Sequence, residues 1–496
     1  MCVNSKWLSG HNLLSDTGLW PIARPVRIGL ISIAGVAGFL LLSAIVLVVF
    51  FDLNAYRRQV QAAASTALGM ELSIDGRLGL GFSPGPYLTL SHVQIRNQGE
   101  GVASATAANV GIDLMPLVLR EIRINRISLK EPVITIDRDR DGNFNFTNPE
   151  RPERAFAGLE IPEISFTRGT LRYFDQRSEL LLEATDCQLD AQHLKLASGN
   201  SGHFLKQVSF AAKLDCGEFR KNEFAGTNLK IRTRVNDGAF TLDPVTMELF
   251  GAQGAGKVHA NFSGDKPRYE LVYALPALRT EAFFDALLDE PVLEGPMDFA
   301  VDLKMVGDTY QQSIGSATGS FSLRASHLTL TGSDLDDQFN QFESSQNFSL
   351  VDAGAFFFVG PLGLVVTKGY DFAGILGGSG GTTEIRALVS DWNVEQGVAR
   401  ALDVAMATNQ HRIALQGELD FANEQFRDVT LALVDARGCA QVKQKISGAF
   451  QQPDIENPGI IKSLTGPIRT LVKKGVDLFT SDDCEVFYSG QVPPSP

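Results

Sequence analysis

From Ile28 to Phe51 the chain reads IGLISIAGVAGFLLLSAIVLVVFF, an apolar run without one charged side chain. At 1.5 Å per residue it reaches about 36 Å, enough to cross a ~30 Å hydrocarbon core with some tilt. The run predicts a transmembrane helix anchored by Ile28, Leu30, Phe39, Leu41, Val46 and Phe51. Its nearest rival, Ala355 to Val366, is shorter and broken by Gly360, Pro361 and Gly363, and reads as a buried or interfacial segment. A cleaved signal peptide is the alternative, because Ala62, Ala63 and Ala64 supply small residues downstream. The run is longer than a signal core, however, and those alanines sit in a helical pattern.

After the span, DLNAYRRQVQAAASTALG offers Asp52 and Asn54 as N-caps, Ala-rich propensity and Gly69 as a stop, which predicts a short helix. The period then changes to two. Leu88 and Leu90, Val93 and Ile95, Ile122 and Ile124, Ile127 and Leu129, and Ile134 and Ile136 alternate with polar neighbours, as half-buried strands do. The apolar phase slips at His92 and at Asn125–Arg126, the mark of a β-bulge. The same texture returns from Leu229 and Ile231 to Val429 and Leu433, with turn clusters such as Asn236-Asp237-Gly238 between strands. Three helical interruptions stand out: Leu278–Leu288 with Phe283, Phe284 and Leu287; Leu335, Phe339 and Phe342; and the tail near Ile460 to Phe479.

The pattern therefore predicts a mainly β protein: one N-terminal helix, then an elongated, curled antiparallel sheet with a few short helices. So long a sheet must close, pack as a sandwich or curl, because a flat one exposes an apolar face. Curling makes a groove in which acyl chains gain about 0.8 kcal/mol per buried CH₂. A sandwich would fill the same face with its own core, and the pattern leaves both open for Leu88, Leu90, Ile122, Ile124, Leu229 and Ile231.

Composition narrows the classes. The 496 residues are 44% hydrophobic and carry a net charge of −13, so a packed body is expected and no basic footprint for nucleic acid exists. A mean hydropathy of +0.01 is too low for a multi-span transporter. Lys6, Arg24 and Arg27 precede the span and Arg57 and Arg58 follow it, a slight asymmetry favouring a cytoplasmic N-terminus. Cys187 with Cys216 and Cys439 with Cys484 lie beyond the span, and Cys2 stands alone before it. Two disulfides in an oxidising compartment outside, with a free thiol inside, fit that placement; four unrelated buried thiols are the alternative.

Motifs that suggest chemistry dissolve on inspection. Gly251 to Lys257 nearly matches a phosphate loop, but Val258 replaces the hydroxyl and a strand pattern follows instead of a helix. Asp137, Asp139, Asp141 and Gly142 mimic a calcium loop that lacks its final Glu, since Asn148 stands there. The seven His show no metal-binding spacing, and no nucleophile elbow is present. The expectation is a non-enzyme without cofactor or metal. In the tail, Ile460, Leu464, Ile468, Leu471 and Leu478 with Lys462, Arg469, Lys473 and Lys474 form a basic amphipathic pattern suited to an anionic membrane, a partner or the open end of the sheet.

The run from the span through DLNAYRRQV, MELSIDGRLGL, PYLTLSHVQIRN and VGIDLMPLVLREIRINRISLKEPVITIDRDRDGNFNF resembles the start of the AsmA family of Gram-negative envelope proteins. The later GCAQVKQKISGAFQQPDI and CEVFYSGQVPPSP are similar to its carboxyl part. The resemblance implies an inner-membrane protein with a periplasmic body, related to repeating β-groove lipid-transfer proteins and associated with outer-membrane assembly, phospholipid movement and regulation of protein targeting to the membrane. With about thirty strands ~4.8 Å apart, such a groove would extend at most about 140 Å.

The organisation expected is thus a cytoplasmic tail (1–27), the span (28–51), an N-terminal β module with its helix (52–155), a periplasmic groove body (156–456) and an amphipathic tail (457–496). The expected function is binding of lipid acyl chains in support of phospholipid transport and outer-membrane homeostasis, with envelope proteins as further partners. The alternative is an envelope scaffold that carries no lipid.

Overall fold

The computed structural model describes residues 53–83, 85–113, 116, 123–147, 160–196, 205–221, 224–286, 293–345, 380–456, 459–460 and 486–495. The segment 28–51 lies outside them, as do Ile122, Cys484 and residues 461–485. Among the described residues no helix is long and apolar enough to cross a membrane. The chain divides at Arg57, and the sheet belongs entirely to the second unit, Arg58–Pro496.

A 3-10 turn (Leu53–Tyr56) precedes α1 (Arg57–Leu68), which stops where Gly69 adopts φ +68°. The Ser65 hydroxyl accepts the Leu72 N–H at 2.9 Å and ties α1 to the first strand. Strands β1 (Glu71–Ile74) and β2 (Leu78–Gly81) lie end to end along β3 (Tyr87–Asn97), which pairs with β4 (Glu100–Ile112). β5 (Ile124–Lys130) and β6 (Val133–Arg138) are likewise one line broken at Glu131–Pro132. They pair antiparallel with β4 on one side and parallel with β7 (Glu160–Asp175) on the other.

From β7 the sheet is a meander through β8 (Leu180–Leu196), β9 (Val208–Lys221), β10 (Phe224–Asn236), β11 (Ala239–Leu249), β12 (Ala252–Asn261) and β13 (Arg268–Arg279). It continues past α2 (Thr280–Phe284) into β14 (Leu293–Glu294) and β15 (Pro296–Val306), then past α3 (Tyr310–Gly315) into β16 (Thr318–Thr331). After α4 (Leu335–Ser345) come β17 (Thr382–Glu395), β18 (Val398–Thr408), β19 (Arg412–Asp420) and β20 (Gln425–Val434). The last are β21 (Ala440–Ala449), β22 (Gln452–Ile455) and β23 (Gly459–Ile460).

Among the described residues all 23 strands form one sheet, many of them joined by tight hairpins. At Asp237–Gly238, φ values of +44° and +80° make the two-residue turn that matches strand twist, and glycine takes the second position without steric cost. The look-alike phosphate loop is another such hairpin, with Phe250 and Gly251 at φ +51° and +71° joining β11 to β12.

Three expectations are corrected. The sheet is antiparallel-rich but not wholly so, because residues 139–159 carry the chain back from β6 and set β7 parallel to it. Among the described residues four pairs of strands lie end to end, so the 23 strands make nineteen rungs, roughly 90 Å at ~4.8 Å per rung against the 140 Å expected for thirty. The helix expected from Leu278 begins only at Thr280, since Leu278 still pairs with Met297 in the sheet. The helix expected in the tail near Ile460 to Phe479 lies, from residue 461 on, outside the described residues. The expected bulge at Asn125 is present: Gly111 faces Arg126 and Ile112 faces Ile124, leaving Asn125 without a partner rung. His92 adopts φ +52° opposite the break between β1 and β2.

The core is concentrated over the C-terminal strands. Phe283 and Phe284 of α2 and Leu335 and Phe339 of α4 pack on Leu323, Leu388, Trp392, Met406, Ile413 and Leu431 in one buried cluster. On the reverse face, small Ala405, Ala407, Ala414 and Ala432 leave room for Phe487, Tyr488 and Val492 of the C-terminal strap. The strap is fastened by polar contacts: the Tyr488 hydroxyl donates to Asp403 Oδ1 at 2.7 Å and accepts the Val492 N–H at 2.9 Å. Arg412 donates to the carbonyls of Val492 and Asp435 at 3.0 and 2.6 Å. From β17 to β20 the sheet is therefore buried on both faces.

Candidate functional site

Register partners in a β ladder project to the same face, so rows of partners trace the surface across the strands. One row starts at Leu90 and passes through Ala108, Leu129, Phe166, Leu189, Leu214 and Ile231. It goes on through Val245, Gly256, Tyr273, Val301 and Phe321 to Trp392. A second row two residues along each strand runs Leu80, Leu88, Val110, Ile127, Ile164, Ala191 and Ala212. It continues through Thr233, Leu242, Val258 and Leu271 to Leu303. Two adjoining apolar rows thus cross the sheet at right angles to its strands.

The two ends of this face differ in cover. Over β4 to β13, Leu129, Ile127, Ile164, Leu189, Leu214, Ile231, Leu242, Val258 and Leu271 are all half-buried. Over β16 to β20 the same face is sealed: Leu323 is 0% exposed, Trp392 1% and Leu431 0%, under the phenylalanines of α2 and α4. The face counts ten rungs from β3 to β13, about 43 Å, largely half-buried though Leu90, Phe166 and Val245 are buried in its floor, and at Leu271 and Tyr273 it already packs against the filled core beyond.

Of the residues expected to line a groove, Leu88 and Leu90 begin the two rows on β3, and Ile231 continues the first on β10. Ile124 pairs with Ile112 at the margin, where β4 ends. Leu229 faces Cys216, and Ile122 is outside the described residues. Phe166, Leu189, Leu214, Leu242 and Leu271 belong to the rows as well. Period-two alternation was their signal, but only the register shows that they align.

Cys187 and Cys216 stand opposite each other on β8 and β9 and form a disulfide, with their Cα atoms 4.0 Å apart. The bond lies in the trough floor beside Phe166, Leu189, Leu214 and Leu229. Cys439 is also disulfide-bonded.

Polar atoms on this face are few. The hydroxyls of Thr233 and Tyr273 are buried and have no hydrogen-bond partner among the described residues. Burial pushes the Tyr273 phenol up to about 12, so it stays neutral. Along one margin an edge-to-face ladder links Phe210, Phe240, Phe262 and Tyr269, with centroids 6.4, 5.4 and 5.9 Å apart.

Charged groups elsewhere are engaged structurally. Asp139 of the calcium-like turn accepts the Asn143 backbone N–H at 2.8 Å and its side-chain amide at 3.1 Å, which hold its carboxyl below the usual range. Asp336 on α4 accepts from Thr408 at 2.5 Å and meets His411 Nδ1 at 2.9 Å. Burial opposes its ionisation, but those hydrogen bonds prevail and lower its pKa. Among the described residues no three His, Cys, Asp or Glu side chains are grouped to hold a metal ion.

The family model that matches this chain is that of the AsmA family, over residues 26–226. No curated protein and no solved structure matches it. The family match covers the N-terminal strands and the start of the trough, through Cys216 and into β10.

Proposed function

We propose, from the match of residues 26–226 to the AsmA family model, that the chain is a single-span inner-membrane protein whose periplasmic sheet holds lipid acyl chains. The observation that carries this reading is the open pair of apolar rows from β3 to β13. Leucine, isoleucine and valine in register over about 43 Å, most of them half-buried, form a continuous surface on which, among the described residues, two hydroxyls are the unsatisfied polar groups. An acyl chain that fills one leaflet of a ~30 Å hydrocarbon core is about 15 Å long, so the open face accommodates more than one chain length. The Cys187–Cys216 disulfide suits an oxidising compartment such as the periplasm, and the uncharged segment 28–51 suits an anchor. In this role the protein supports phospholipid transport and outer-membrane homeostasis, and it needs no catalytic step or cofactor.

The second reading is a scaffold for envelope assembly or membrane-protein targeting. The doubly covered β17–β20 region, with its fastened strap, favours it as a rigid platform.

Lipid mass spectrometry on the body from Asp52 to Pro496, exported to the periplasm and purified without detergent, separates the two. Stoichiometric phospholipid above a mock purification is expected for the carrier. Lipid at background level would move the assignment to the scaffold.

A further inference from the structure

At the N-terminal edge of the sheet, two large apolar side chains face solvent: Leu80 is 43% exposed and Phe82 61%. Edge strands of soluble proteins usually carry charge that discourages association. Here Gly76 to Leu90, GRLGLGFSPGPYLTL, contains a single charged residue, Arg77, in a chain that is 20% charged. Leucine, phenylalanine and tyrosine with one arginine is the composition of a segment lying at a lipid–water boundary.

Position adds to composition. Leu80 is the register partner of Leu88, and Leu88 of Val110, so the exposed edge is the first member of the second trough row. The tyrosine ring of residue 87 lies over Gly81, where any Cβ would fall 2.1 Å from its Cζ. At its other end the face passes into the filled core that includes Phe283 and Phe339, so among the described residues this edge is its uncovered end. The chain that forms the edge is also continuous with the uncharged segment 28–51, which ends at Phe51, fewer than thirty residues before Leu80.

We propose that Leu80 and Phe82 form a lip that inserts into the surface of a phospholipid bilayer, so that acyl chains pass over Leu80 onto Leu88 and Val110. Arg77 then meets lipid phosphate at the level of the headgroups. The loading step rests on the lipid reading of the trough; insertion of the lip stands by itself.

The test uses the full chain in vesicles of phosphatidylethanolamine and phosphatidylglycerol containing acyl-brominated lipid. In a Cys2→Ser background, Phe82→Cys is labelled with an environment-sensitive fluorophore under non-reducing conditions, and Lys213→Cys on the opposite face serves as control. Bromolipid is expected to quench the probe at 82 at least threefold more than that at 213. Equal quenching overturns the lip, as does self-quenching between labelled copies without bromolipid, which would assign the edge to a second copy. Loading is read from lipid adducts at a photoreactive residue replacing Leu214, in the same full chain. Leu80→Ser with Phe82→Ser should lower the adduct yield at least fivefold while circular dichroism is unchanged. An undiminished yield overturns loading through the lip. Absence of adduct with the native lip overturns the trough reading and the loading step together, and quenching at 82 still decides insertion.

Discussion

Leu129 of β5 is the register partner of Phe166 of β7, across the one junction among the described residues where neighbouring strands run parallel. Through this pair the apolar row passes from the N-terminal strands into the meander without a break. A charge here interrupts the row while leaving the backbone ladder intact. Leu129→Asp is expected to reduce co-purifying lipid at least fivefold and Leu129→Met to leave it unchanged; equal lipid content in both would show that lipid does not cross the junction.

Filled and open portions of the same face should respond oppositely to truncation. Leu323→Ala opens a cavity in a sealed core and is expected to cost roughly 3–5 kcal/mol in denaturant unfolding, with lipid content unaffected. Leu214→Ser, on the open floor, is expected to cost less stability and to lower lipid content. The reverse ranking would mean that the boundary between trough and core is misplaced.

Much of this was legible beforehand. Alternation at Leu88, Leu90, Ile127 and Leu129 announces strands, and Asp237-Gly238 announces a hairpin, because both signals are local. The parallel junction was not legible: β7 follows β6 in the chain, and nothing in β5, β6 or β7 encodes the direction of its neighbour. Nor was the change from open to filled. Leu214 and Leu323 have the same alternating context, and what separates them is Phe283 and Phe339 arriving from distant helices.

Gly254 lies under the phenol of Tyr273, where an added Cβ would fall 2.2 Å from the hydroxyl oxygen. This explains two glycines of the look-alike phosphate loop, Gly254 and Gly256, which make room for a ring on the next strand, while Gly251 serves the turn. Gly254→Ala is expected to destabilise by about 1–3 kcal/mol through overpacking, and the penalty should largely vanish in a Tyr273→Leu background. Additive penalties in the double-mutant cycle would refute the contact.

The Asp336 carboxyl has a pKa below its usual value, through hydrogen bonds from His411 and Thr408 that outweigh burial. Because the folded-state pKa is depressed, its contribution is present above about pH 4 and is lost as pH falls through the folded value. Asp336→Asn should therefore be less stable than the parent by roughly 1–3 kcal/mol at pH 7, and the gap should narrow below about pH 4. Denaturant titrations at both pH values check this, and a gap that stays constant would contradict it.

The central claim is that the half-buried rows hold acyl chains, and photo-cross-linking in intact cells tests it most directly. A photoreactive residue replacing Leu214 in the full chain should yield a phospholipid adduct by mass spectrometry, whereas one replacing Lys213, on the opposite face of the same strand, should yield none. Adducts absent at 214, or equal at 213 and 214, would contradict a lipid-holding trough.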